Sequence, residues 1–141
     1  MKLKAAAVFA TILGLSAIRP IAAAEVHQTL APATSPASGH QMYMAYCASC
    51  HGKEGKGDGP VAAALKTPPA DLATLSARNG GKFPELRVTS AIKGDPALPA
   101  HGSAEMPVWG TVFQKMSQGN AGQVQMRIAN LVAYVRSIQA K

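Results

Sequence analysis

The chain is short of the residues that build a large rigid core: its 141 residues include three Phe, three Tyr and one Trp. Cysteine is scarcer, at two. That excludes the multi-bridge framework that staples small exported domains. It also leaves too little thiol for a structural zinc site, which needs about four protein ligands. Acidic residues are few, seven against fourteen Lys and Arg, for a formal charge of +7. The basic residues form no cluster, so nucleic acid is not an expected partner. No alternating strand pattern and no internal repeat occurs. Long apolar runs are missing too, apart from Ala5 to Ile18. That run is short for a bilayer span of roughly 20 residues, and Arg19-Pro20 interrupts it. It follows the basic Met1-Lys2-Leu3-Lys4 and precedes Ala22-Ala23-Ala24, an A-x-A site. Residues 1–24 therefore read as a secretory signal peptide. The expectation is export to a periplasm, no stable membrane insertion, and a mature chain of Glu25–Lys141, long enough for one domain.

Residues 47–51 read Cys47-Ala48-Ser49-Cys50-His51, the attachment signature of a c-type haem. Positions i, i+3 and i+4 share one face of a helical turn. Two thiols and an imidazole then point the same way. The thiols of Cys47 and Cys50 can add to the two haem vinyl groups as thioethers, and His51 can reach the iron as proximal ligand. A flat apolar cofactor also compensates for the shortage of aromatics. The apoprotein is expected to fold poorly, because a group that binds only the native state adds its binding energy to stability.

Along the mature chain, residues 25–38 are rich in Ala, Pro, Thr and Ser and read as a flexible lead-in. Residues 39–141 form the expected domain. A helical pattern runs from about Gly39 to Ser49. Gly52 to Pro60, with its repeated glycines, is a loop, and Val61 to Leu65 is a candidate short helix. Pro84 opens a helix that passes through Leu86, Val88 and Ile92 and stops at Gly94. Asp95 to Gly110, rich in proline and glycine, is a long shaped loop. The last helix is the clearest, with Val124, Ile128, Leu131, Val135 and Ile138 at 4,3,4,3 spacing behind a candidate cap at Asn120.

From Gly39 to Gln139 the chain resembles the class I cytochromes c, in the periplasmic bacterial form. The resemblance rests on the helix leading into Cys47–His51 and on the glycine-rich stretch from Gly52 through Gly55, Gly57, Asp58 and Gly59 to Pro60. It rests also on Met106-Pro107-Val108-Trp109-Gly110, which is similar to a distal-methionine loop, and on the closing helix around Leu131 to Val135. It implies an all-α globule wrapped around one covalent haem c. Its first and last helices would cross closely, with Gly39 and Tyr134 as candidates, although Gly39 also reads as a simple helix start.

The second axial ligand of the iron is expected to be Met106. Met42 and Met44 precede Cys47 on the same helix, too close to reach the opposite face. Met116 and Met126 sit among apolar residues, where methionine is commonly core filler. His101 is the rival in the same loop; His27 and His40 are poorly placed. The resemblance also implies a proline carbonyl, from Pro68 or Pro69, as acceptor for His51. Arg78 and Arg87 are candidates to pair haem propionates, Trp109 is either a haem neighbour or core, and Lys53, Lys56, Lys93 and Lys115 could rim an exposed haem edge. With both axial positions filled by protein, the expected function is one-electron transfer between redox partners. An acidic docking surface would suit the basic bias, and catalysis is not expected. Two alternatives stay open at this point: a haem-bearing subunit of a periplasmic dehydrogenase or oxidase, and a haem sensor or peroxidase.

Overall fold

A computed structural model describes residues 31–94 and 106–140, and among them every regular element is helical. The elements are α1 (Gly39–Tyr46), α2 (Ala48–His51), α3 (Glu85–Lys93), α4 (Trp109–Met116) and α5 (Ala121–Ser137), with single 3₁₀ turns at Ala62–Ala64 and Ala77–Asn79. No helix among the described residues is long and apolar enough to cross a membrane. The signal-peptide reading falls on residues outside those described.

Local chemistry sets the helix ends. The Ser38 hydroxyl accepts the Gln41 N–H at 3.1 Å, and Asn120 Oδ1 accepts the Gln123 N–H at 3.1 Å. Each such cap is worth about 1 kcal/mol. Gly94 ends α3 in the left-handed region, at φ +79°.

Helix α5 is the spine, and α1, α3 and α4 pack on it. Its 4,3,4,3 stripe buries Ile128, Leu131 and Val135, joined by Val132. These meet Met42 and Tyr43 of α1, Val88 and Ile92 of α3, and Trp109 and Phe113 of α4. The α1–α5 crossing is the tightest approach. A Cβ on Gly39 would lie 2.0 Å from the Asn130 carbonyl oxygen and 3.0 Å from Tyr134 Cβ. The Tyr43 and Tyr134 rings lie 5.0 Å apart beside it. Gly39 is thus a contact point, not merely a helix start.

Four features differ from the sequence reading. The first helix breaks at Cys47, although the hydrogen-bond ladder carries on through the break, with Cys47 N–H on the Tyr43 carbonyl and His51 N–H on the Cys47 carbonyl, both at 2.9 Å. Helix α4 begins at Trp109, inside the stretch read as loop; its apolar positions Trp109, Val112, Phe113 and Met116 have helical spacing but start two residues after Pro107 and overlap the loop signal at Gly110. Met126 is exposed, on the outer face of α5. Finally, residues 31–38, the end of the stretch read as flexible, are held to the domain by side chains that composition cannot reveal. Asn130 Nδ2 donates to the Pro36 carbonyl at 2.9 Å, Tyr46 to the Pro32 carbonyl at 2.6 Å, and Arg127 to the Thr34 carbonyl at 3.1 Å.

Candidate functional site

Helices α1, α2, α3 and α5 and the segment 70–79 surround one cavity. Its wall includes Tyr43, Cys47, His51, Leu72, Leu75, Val88, Ile92, Met106, Leu131 and Val135, and Arg78, Asn79 and Arg87 are its exposed polar members. The space measures about 200 Å³ as a cavity and about 1030 Å³ with its open mouth counted. Mostly apolar walls, a few polar groups and an open side suit a broad flat apolar group with one charged edge.

The loop after α2 fixes His51. The Gly57 N–H bonds the His51 carbonyl at 2.8 Å, the Gly59 N–H the Cys50 carbonyl at 3.1 Å, and the Val61 N–H the Ser49 carbonyl at 3.0 Å. The glycine-rich segment thereby satisfies the carbonyls that end α2. Gly57 needs its lack of side chain twice over: φ is +79°, and a Cβ would lie 2.5 Å from the Pro69 carbonyl oxygen. The Tyr43 hydroxyl donates to the Gly52 carbonyl at 2.7 Å, tying α1 to the same corner. Burial, ahead of smaller effects from Cys47, Tyr134 and Asp58, raises the pKa of that phenol, so it stays a neutral donor.

His51 Nδ1 lies 3.0 Å from the carbonyl oxygen of Ala70. A carbonyl can only accept, so Nδ1 carries the proton and Nε2 keeps its lone pair. Burial also lowers the imidazole pKa, against a weaker upward pull from the Ala70 bond. A neutral ring oriented through its second nitrogen is the form a metal ligand takes. The acceptor differs from the expected Pro68 or Pro69. Both prolines precede it in the turn, but the Pro69 carbonyl is closely approached by Gly57, and the next carbonyl along takes the imidazole.

The structure brings Cys47, His51 and Met106 to one cavity. Cys50 is not among its wall residues; it is half-buried on the same turn of α2, with the Ser49 hydroxyl 3.9 Å from its sulfur. The two cysteines are not joined in a disulfide. Burial, then the neighbouring Cys50, pushes the unattached Cys47 thiol up to about 12, which marks this part of the wall as apolar. Two thiols, a neutral imidazole and a thioether are the soft donor set that suits haem iron and its vinyl groups. Arg78 and Arg87 lie at the mouth, as fits partners for carboxylates. Trp109 is not in the wall. It is core, its ring 5.1 Å from Tyr46 and 5.7 Å from Phe113. His101 falls outside the described residues. His40 is exposed, its ring 5.3 Å from Tyr134.

Sequence reasoning missed Gln139. Its side chain accepts from the Ser76 N–H at 2.8 Å and donates to the Leu72 carbonyl at 2.7 Å. It fastens the cavity wall at Leu72 and Leu75 to the end of α5. A polar residue directly after an apolar stripe gives no signal of this kind. Arg127 was missed for the opposite reason. It reads as a solvent-facing cation, yet it is 6% exposed.

Among curated proteins and among solved structures no match to this chain is found. A family model described as cytochrome c matches residues 36–139, a span that takes in every wall residue of the cavity and the whole Cys47–His51 turn. The chain therefore belongs to the cytochrome c family, which holds haem c covalently, with its iron, and uses it to transfer electrons.

Proposed function

We propose that this protein is a one-electron carrier of class I type in which Cys47 and Cys50 hold the haem and His51 and Met106 are the axial ligands of its iron. The observation that carries this reading is that His51, its Nδ1 committed to Ala70, and Met106 share the wall of one cavity with Cys47. The haem supplies a one-electron ferric/ferrous couple; the chain's own residues do the rest. His51 keeps a fixed tautomer and ring plane. Met106 presents a soft sulfur, which favours the reduced state over what a second histidine would give. The apolar walls exclude water from all but the mouth, and Arg78 and Arg87 oppose the negative edge. If His51 and Met106 both hold the iron, a small substrate would find no free metal site, which favours a carrier over a catalyst. The leader-like residues 1–24 support export to a periplasm, with 25–38 as lead-in and 39–141 as the functional domain.

The test begins with attachment. Expressed with c-type maturation machinery, the protein should retain haem stain on a denaturing gel and exceed the cleaved chain's mass by one haem. Cys47→Ala with Cys50→Ala should lose the stain. Stain lost on denaturation of the unaltered protein would overturn the covalent assignment to these residues.

Docking gives a second expected result. Of the lysines expected to rim a haem edge, Lys53, Lys56, Lys93 and Lys115, Lys56 pairs with Glu54 at 2.6 Å, both exposed. Lys53 and Asp58 make the rest of the glycine loop neutral on balance. The cationic side of the mouth is instead Arg78 and Arg87, with Lys82 nearby in sequence. Association with an acidic redox partner should slow as salt rises, since exposed charges are screened over about 10 Å at 0.1 M. Arg87→Glu should slow it more than Lys56→Glu. Stopped-flow electron transfer across a salt series reads this; equal effects of the two reversals would remove the mouth from the docking surface.

A further inference from the structure

Arg127 is a buried cation with no carboxylate partner among the described residues. Its guanidinium donates to the Thr34 hydroxyl and to the Thr34 carbonyl, each at 3.1 Å, and to Met42 sulfur at 3.7 Å. It stands 5.9 Å from the Phe113 ring, and its Nε has no partner among the described residues. Thr34 is in turn 2.6 Å from the Tyr46 hydroxyl, which donates to the Pro32 carbonyl at 2.6 Å. A buried charge is tolerated only where its donors are satisfied. Here the satisfying oxygens come from the segment ahead of α1, well outside the haem-binding turn. The same segment places Ala31 against the core.

The partners of this network lead to the distal side. The Tyr46 ring stacks on Trp109 at 5.1 Å and meets Phe113 at 5.8 Å. Trp109 opens α4, three residues after Met106. Next to it, Val108 packs where a Cβ on Gly94 would lie, with Cγ1 at 2.4 Å. The position of Met106 therefore depends on the Trp109–Val108 anchor, and that anchor rests on a tyrosine whose hydroxyl is held by Pro32 and Thr34. Without those oxygens, the Tyr46 hydroxyl and the Arg127 guanidinium would be left unpaired in the core. They would have to move toward water, and the ring stack would move with them.

We propose that residues 31–36 form a clasp, closed by Arg127 and Tyr46, that holds Met106 on the distal side of the haem; Thr34, Tyr46 and Arg127 are positioning residues for that ligand. The proposal rests on Met106 being the ligand. Its direct consequence is kinetic: the clasp sets how often the sulfur leaves the iron.

The experiment uses the full haem-loaded protein and compares Thr34→Val, Tyr46→Phe, Arg127→Met, the conservative Thr34→Ser, and Met106→Ala. The readouts are the weak near-infrared sulfur-to-iron absorption of the ferric protein and the rate at which imidazole replaces the sulfur. Thr34→Val and Tyr46→Phe keep shape and remove one hydroxyl each, so they fold even where Arg127→Met does not. Each should speed imidazole entry about tenfold, equivalent to about 1.4 kcal/mol, while the resting near-infrared band persists. Thr34→Ser should restore the original rate. A purely structural role would lower the unfolding midpoint and leave the entry rate within about twofold, and that result overturns the clasp. If Met106→Ala retains the band, the ligand assignment and the clasp fall together. If Met106→Ala loses the band while the hydroxyl variants enter at the original rate, the clasp alone falls.

Discussion

Gly39→Val should cost this protein a large part of its stability and most of its holoprotein yield. A Cβ at position 39 would stand 2.0 Å from the Asn130 carbonyl oxygen and 2.8 Å from its carbon. Both are backbone, and no rotamer change relieves the contact. Helix α1 must therefore move away from α5. That opens the Tyr43–Tyr134 contact and pulls on the Asn130 side chain, which holds the Pro36 carbonyl at 2.9 Å. Overpacking of this kind costs about 1–3 kcal/mol and occasionally more; two unyielding backbone atoms place Gly39→Val at about 3 kcal/mol or above. Against a typical total of about 5–15 kcal/mol, that is a major share, and in thermal terms about 12–24 °C for a domain of roughly this size. Gly122→Ala is the opposite control. Gly122 lies in the first turn of α5, with Asn120 Oδ1 at an ordinary 3.4 Å. Alanine there should stabilise by up to about 1 kcal/mol, because glycine is the poorer helix former. Denaturant midpoints of the haem-loaded proteins measure both. A midpoint unchanged in Gly39→Val would mean the crossing is looser than the structure has it.

The elements legible in the sequence were those where one residue type has one physical job. The α5 stripe repeats at helical spacing because one face must be buried. Gly94 ends α3 because only glycine adopts φ +79° without strain. The Cys47–His51 turn is legible because its spacing serves one chemistry. The residues that hold the site together were not legible. Ala70 is chosen as the His51 acceptor by which carbonyl the turn leaves over, a matter of backbone path. Gln139 and Arg127 look like surface residues until the segments they clasp are folded against them. Thr34 lies in a stretch whose composition signals disorder, since the oxygens that matter there are mostly backbone and carry no sequence signature. Helix α4 is masked in another way: its stripe of Trp109, Val112, Phe113 and Met116 begins two residues after Pro107, where proline and glycine signal a loop. Sequence thus nominated the groups proposed to touch haem, while their positioning depends on polar contacts made across long separations in the chain.

Met106→Ala should produce the largest functional change of any single substitution. The chain offers no neighbouring donor in the described wall to take its place: Tyr43 is committed to the Gly52 carbonyl, and Asn79 donates to the Lys82 carbonyl at 2.7 Å. The variant should lose the near-infrared sulfur-to-iron absorption and open the iron to carbon monoxide and imidazole. Its potential should fall, by a tenth or more of the roughly 0.8 V over which axial ligands set haem potentials, because a soft sulfur that favours the reduced state has been removed. Haem stain on a denaturing gel should persist, because attachment resides in Cys47 and Cys50. His51 should keep its tautomer, fixed from the far side by Ala70. His101→Ala, in contrast, should leave spectrum, potential and ligand entry as they are. Optical titration and voltammetry of the two variants decide between the residues. If His101→Ala lowers the absorption and Met106→Ala does not, the distal ligand is the histidine. If neither does, neither residue is the ligand responsible for that absorption.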